Sequence, residues 1–209
     1  MLRTPRRLVA ALVSSGPALA AASGLLLAGA TVVHAQQPSG NPADVRFMSG
    51  MIIHHEQAVL MAGWAPTHGA GPDVARLCRK ISVSQRDDID LMKRWLQEHG
   101  HAIPDTSWVF DYEGSGMRTH ELMAGMLSSE QLAALDAARG EEFDRLFLEG
   151  MIGHHAGAVT MVKNLLASPG GAQDNFVFEF ATDINSSQTV EIHLMQRMLA
   201  ALPGDATKP

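Results

Sequence analysis

The chain repeats itself at an offset of one hundred residues, and that repeat limits its folds more than any other feature. Asp44, Phe47, Gly50, Met51, Ile52, His54, His55, Ala58, Val59 and Met61 return as Asp144, Phe147, Gly150, Met151, Ile152, His154, His155, Ala158, Val159 and Met161. A second block follows each copy. Ile81, Gln85, Ile89, Leu91, Met92, Arg94 and Leu96 return as Ile184, Gln188, Ile192, Leu194, Met195, Arg197 and Leu199, now at an offset of 103. A duplicated unit with an apolar face must bury that face against its copy, so the two halves are expected to pack together about a pseudo-twofold.

Each block reads as a helix. Asn41-Pro42 supplies an N-cap and first-turn proline, with Asp44 in the first turn and Pro66 as the stop. The second helix opens at Gly71-Pro72-Asp73 and closes at His99-Gly100. Ser128 and Gln131 form a capping box for a helix through Arg139. A helix from Glu141 to Ala167 follows, and the last runs from about Asp174 to Leu202. Residues 101–116 read as an irregular connector and Met117 to Leu127 as a shorter helix. With no period-two segment, the expectation is an all-α four-helix bundle made of two repeated hairpins with a helical crossover. Repeat 1 spans about 42–100, the crossover 101–140 and repeat 2 about 141–202.

The amino terminus has the form of an export signal. Arg3, Arg6 and Arg7 precede an apolar stretch from Leu8 to Val33, and Val33-His34-Ala35 offers a cleavage site before Gln36. The expectation is a signal peptide over 1–35 and one domain over 36–209, periplasmic or secreted; an uncleaved membrane anchor is the alternative. Removing those three arginines takes the net charge from −6 to −9. Such a chain is a poor nucleic-acid binder and attracts cations. Cys78 is the single cysteine, so no internal disulfide can form.

The chemistry concentrates in the histidine pairs. Eleven of twelve methionines and nine of ten histidines lie beyond residue 35. On a helical wheel Met48, Met51, His55, Ala58 and Ala62 share an arc that Phe47, His54 and Met61 flank, and Met151, His154, His155, Ala158 and Met161 repeat it. Imidazole suits copper, zinc, nickel and iron, and thioether sulfur selects Cu(I), so the expected metal ligands are His54, His55, His154, His155, Met51, Met61, Met151 and Met161. Adjacent helical histidines diverge by ~100°. Each therefore pairs with a methionine one turn away, or a site is shared between the repeats.

A histidine–backbone network inside a structural or partner-binding bundle is the competing reading. It must find acceptors for four buried imidazoles, and the repeat offers few. A ferritin-like metalloenzyme is a third: di-iron sites need Glu-x-x-His on two helices, and here the one formal match, Glu98 with His101, straddles Gly100. The duplicated cluster carries no shared carboxylate, since Glu56 aligns with Ala156. Asp88 aligns with Glu191, and these acids could orient a histidine from behind. Cys78 is expected to be buried and inert, and His99 and His101 to serve as a solvated helix end.

The paired blocks resemble the secreted family known as domain of unknown function 305. The resemblance rests on Phe147, Met151, Ile152, His154, His155, Ala158, Val159 and Met161, on their counterparts from Phe47 to Met61, and on Gln85-Ile89-Met92 and Gln188-Ile192-Met195. It implies a ferritin-like bundle and, because some relatives are associated with extracytoplasmic copper, a copper ion with a metal-handling partner in the envelope. Leu148 stands where the first copy has Met48, which implies unequal sites. The function expected is non-enzymatic copper sequestration, delivery or tolerance; the sequence assigns no oligomeric state.

Overall fold

A computed structural model of the chain describes residues 39–111 and 122–203. The chain divides into two units, Met1–Ala35 and Gln36–Pro209, and every described residue belongs to the second. The described residues contain six helices: α1 Pro42–Gly63, α2 Pro72–Glu98, α3 Ser107–Phe110, α4 Ser129–Ala137, α5 Glu141–Ala167 and α6 Asn175–Ala201. The described residues contain no strand.

The ends of the helices follow from their caps. The Asn41 side chain accepts from the Ala43 amide at 2.7 Å. Ser128 and Gln131 bond reciprocally as a full capping box, and Asp174 accepts from the Val177 amide. Each cap satisfies amides that the first helical turn leaves without a partner.

Packing makes two hairpins, α1 on α2 and α5 on α6, joined where α1 meets α5. The core falls into two apolar clusters. One joins the carboxyl half of α1 to the amino halves of α2 and α5, through Ala58, Met61, Leu77, Ile81, Phe143, Phe147 and Met151. The other joins the amino half of α1 to the carboxyl halves of α2 and α5 and the start of α6, through Phe47, Met51, Ile89, Met92, Val162 and Phe180. Such pairing requires α1 and α5 to run antiparallel, as a twofold relation between the repeats demands.

The duplicated aspartates tie one hairpin to the other. Asp44 accepts from the Ala172 amide at 2.6 Å, in the loop before α6. Asp144 accepts from the Gly71 amide at 3.0 Å, at the start of α2. An acid expected to stabilise its own first turn instead also staples the opposite repeat.

The crossover departs from expectation. The helix read over Met117 to Leu127 falls partly on residues 112–121, outside the described residues, and from Leu122 to Leu127 there is no helix. Gly125 takes a positive φ of 79°. The Leu127 amide and carbonyl both bond to the Gln57 side chain, at 2.8 and 3.0 Å. Backbone groups engaged by α1 cannot also close helical turns. The described part of the connector after α2 contains the short turn α3.

Candidate metal centre

His54 and His55 on α1, and His154 and His155 on α5, are fully buried between the two apolar clusters. The rings of His54 and His154 meet across the helix seam, centroids 3.8 Å apart and planes inclined at 37°. Within each pair the rings diverge: centroids lie 6.3 Å apart, at 51° in α1 and 54° in α5. One histidine of each repeat is thus brought into contact with its counterpart at the seam.

Three of the four rings are oriented through Nε2. His54 Nε2 donates to the Ala124 carbonyl at 3.0 Å. His154 Nε2 donates to the carbonyl of His54 itself at 2.9 Å. His155 Nε2 donates to the Glu191 carboxylate at 2.8 Å, and Lys80 lies 3.1 Å from that carboxylate. His55 Nε2 lies 3.4 Å from Asp88, beyond a well-formed hydrogen bond. A carbonyl or an ionised carboxylate can only accept, so the proton of His54, His154 and His155 resides on Nε2. The aligned acids Asp88 and Glu191 do stand behind corresponding histidines. The expectation that acceptors would be scarce is corrected for this side of the rings: two backbone carbonyls and Glu191 supply them.

The other side has none. Nδ1 of all four histidines is buried without a hydrogen-bond partner among the described residues, as are Gln85 Oε1 and Gln188 Oε1. A buried polar atom left in that state costs ~1–3 kcal/mol. Three rings thus present a bare Nδ1 lone pair while a second group holds the far nitrogen, the pattern by which proteins orient metal-binding imidazoles.

Burial holds three of these rings below the ordinary imidazole range. Burial, reinforced by the neighbouring His55, lowers His54 to about 3. Burial and the facing His54 hold His154 well below the ordinary imidazole range. Burial also lowers His155, against the upward pull of Glu191. For Glu191 burial acts upward, but the bonds and charges of His155 and Lys80 outweigh it and leave the carboxyl below its usual range. Neutral imidazoles facing one another are what a soft cation requires.

Methionines flank this layer on both sides. Met51 packs with Met48 and Met92 in one cluster, and Met151 with Met61 and Met195 in the other, all fully buried. Met161 differs: it is half-buried and packs near Gly50 beside Met123. Among the described residues no three His, Cys, Asp or Glu side chains converge as a conventional metal site. Thioethers would have to complete any coordination. Cys78 is buried, its thiol pushed up to about 12 by burial and by nearby Asp144. His99 and His101 bond separately to the carbonyls of Trp95 and Ser39.

Sequence reasoning missed Gln57 and Ala124. The signal was present for Gln57, because the repeats disagree there, Gln57 standing opposite Gly157.

Comparison with known proteins follows the same lines. An uncharacterized protein of Acanthamoeba polyphaga mimivirus, L153, matches over 67 residues at 30% identity, which is 32% of this chain and 44% of that protein. The chain therefore spans less than half the length of that curated relative. A fragment from Deinococcus radiodurans superposes with a TM-score of 0.66 at 30% identity, over 79% of this chain and all of that one. A Streptomyces coelicolor protein described as secreted gives 0.64 at 26%, over 76% and 92%. CopM in its Cu(II)-bound form gives 0.60 at 28%, over 75% and 95%, and its Cu(I)-bound form has also been solved. The first two structures are both of the family whose sequence profile matches residues 44–199, and to that family, the domain of unknown function DUF305, this chain belongs.

Proposed function

We propose that this is an exported, non-enzymatic protein that takes copper as its cargo, for sequestration, delivery or tolerance in the cell envelope. The observation that carries the reading is the set of buried Nδ1 atoms, bare on rings whose Nε2 is already held. The ligands are His54, His55, His154 and His155, with thioethers drawn from Met51, Met61, Met151 and Met161. Nitrogen and sulfur donors without a thiolate favour a soft monovalent ion, and the neutral imidazoles accept its charge without losing a proton. CopM, which is similar over three quarters of this chain, is known in Cu(II)- and Cu(I)-bound forms. The Streptomyces relative described as secreted supports export, and among the described residues no helix is long and apolar enough to cross a membrane. The envelope partner is a metal-handling protein that supplies or accepts the ion.

Anaerobic titration of the purified protein with Cu(I) against a chromophoric chelator tests this. One or more ions per chain are expected, with competition lost when all four histidines become alanine. Unchanged binding in that variant would sink the proposal. A second reading has its own observation, the three Nε2 hydrogen bonds, which also suit a purely structural network. It predicts that Cu(I), Cu(II) and Zn(II) all leave the melting temperature unchanged.

A further inference from the structure

The segment Leu122–Leu127 lies as a strap across the seam between α1 and α5, and both repeats are cut to receive it. Gly50 and Gly150 are equivalent positions. A Cβ on Gly50 would meet Met123 Sδ at 3.1 Å, and one on Gly150 would meet Leu127 Cδ2 at 3.0 Å. Two strap side chains thus sit in two matched notches. Between them Gly125, at its positive φ, lies directly on α5: a Cβ there would strike the Gly153 carbonyl, and a Cβ on Gly157 would strike the Ala124 carbonyl. Opposite, the Gln57 amide clamps both polar groups of Leu127.

These contacts account for two places where the repeats differ inside their most similar block. Gly153 and Gly157 replace Ile53 and Gln57. One copy provides the clamp and the other provides the room. What the strap delivers is the Ala124 carbonyl, 3.0 Å from His54 Nε2. His154 has no such partner and uses the carbonyl of His54. The twofold symmetry is therefore broken at the histidine layer, and His54 depends on a segment outside both repeats.

We propose that Gln57, Gly125 and Gly157 are positioning residues for the metal centre: they hold the strap so that Ala124 fixes His54 in the Nε2–H tautomer with Nδ1 bare. This rests on the copper reading for its purpose, though not for its geometry. An imidazole without that acceptor is free to change tautomer and ring orientation, and loss of such a partner commonly weakens metal binding about 10–100-fold. His155, held by Glu191, is unaffected by the strap and serves as the internal reference.

The test compares wild-type protein with Gly157→Ala, which displaces the Ala124 carbonyl, and Gln57→Leu, which removes the clamp at similar volume. Long-range nitrogen–proton correlation spectra of the metal-free, histidine-labelled protein report each tautomer, circular dichroism checks helicity, and Cu(I) competition follows. Expected are a single Nε2–H tautomer for His54 in wild type, loss of that signature in both variants with His155 unchanged, and Cu(I) affinity lower by about 10–100-fold. An unaltered His54 signature in both folded variants overturns the proposal, whatever copper does. Loss of the signature with undiminished Cu(I) affinity also overturns it, because His54 would then need no positioning. If wild type takes up no Cu(I) yet both variants lose the signature, the strap's hold on His54 is upheld and the copper reading alone falls.

Discussion

A buried imidazole has two nitrogens to satisfy, and in His54, His154 and His155 one is satisfied and the other is not. At His155 the donor side is the best supported, because its acceptor carries a full charge and is itself held by Lys80. Glu191→Gln keeps an acceptor oxygen but removes that charge, so His155 becomes a poorer electron donor. Cu(I) affinity is expected to fall about 10–100-fold in competition titration, with helicity retained. An affinity equal to wild type would show that Glu191 serves folding alone. Cys78 offers a contrasting case. Burial and a thiol pushed up to about 12 leave it almost wholly protonated, so iodoacetamide at pH 8 should label none of it in the native protein and all of it after denaturation. Rapid native labelling would contradict that burial. The acids behind the histidines were legible because Asp88 and Glu191 occupy equivalent positions. The Ala124 carbonyl was not, because any residue type presents the same backbone oxygen.

At the scale of elements, the long helices could be read to within a residue or two from their caps and breakers, since capping depends on local sequence. The strap could not. Leu122 to Leu127 is helix-compatible apart from Gly125, and the His54 and Gln57 side chains of α1 engage three of its backbone groups instead. The duplicated aspartates show the same limit: a first-turn acid is a local signal, but its bond to the opposite hairpin is visible only in three dimensions. Asp44→Ala strands the Ala172 amide, and Asp144→Ala strands that of Gly71. Each change should cost about 1–3 kcal/mol in urea unfolding. The two staples belong to different apolar clusters, so the double variant should lose the sum within about 0.5 kcal/mol. A marked shortfall would mean that the two ends of the bundle communicate.

For the molecule as a whole, the burial of His54, His154 and His155 makes folding depend on pH with a definite sign. An imidazole in the unfolded chain takes a proton near 6.5, whereas His54 in the folded chain does so only at about 3. Its contribution to stability is therefore full above 6.5 and is lost as pH falls through the interval down to about 3. At pH 5 the unfolded form of this one group is favoured by about 2 kcal/mol relative to pH 7, since each pKa unit is worth ~1.4 kcal/mol. His154 and His155 are displaced in the same direction and add to the loss. For a domain of this size that corresponds to a melting temperature at least ~4 °C lower at pH 5 than at pH 7, from His54 alone. Glu191, lowered through its bond to His155, extends the same loss of stability to more acid pH, below its ordinary range. A bound soft cation would oppose the effect, because it occupies the lone pairs that protons seek and stabilises only the folded form. Calorimetry of the metal-free protein from pH 7.5 to 4.5, repeated with excess Cu(I), separates the two contributions. The metal-free curve should fall steadily below pH 6.5, and the copper-loaded curve should remain level until protons compete for the site. Coincident, flat curves would mean that the His54, His154 and His155 rings are neither held neutral by burial nor available to a metal.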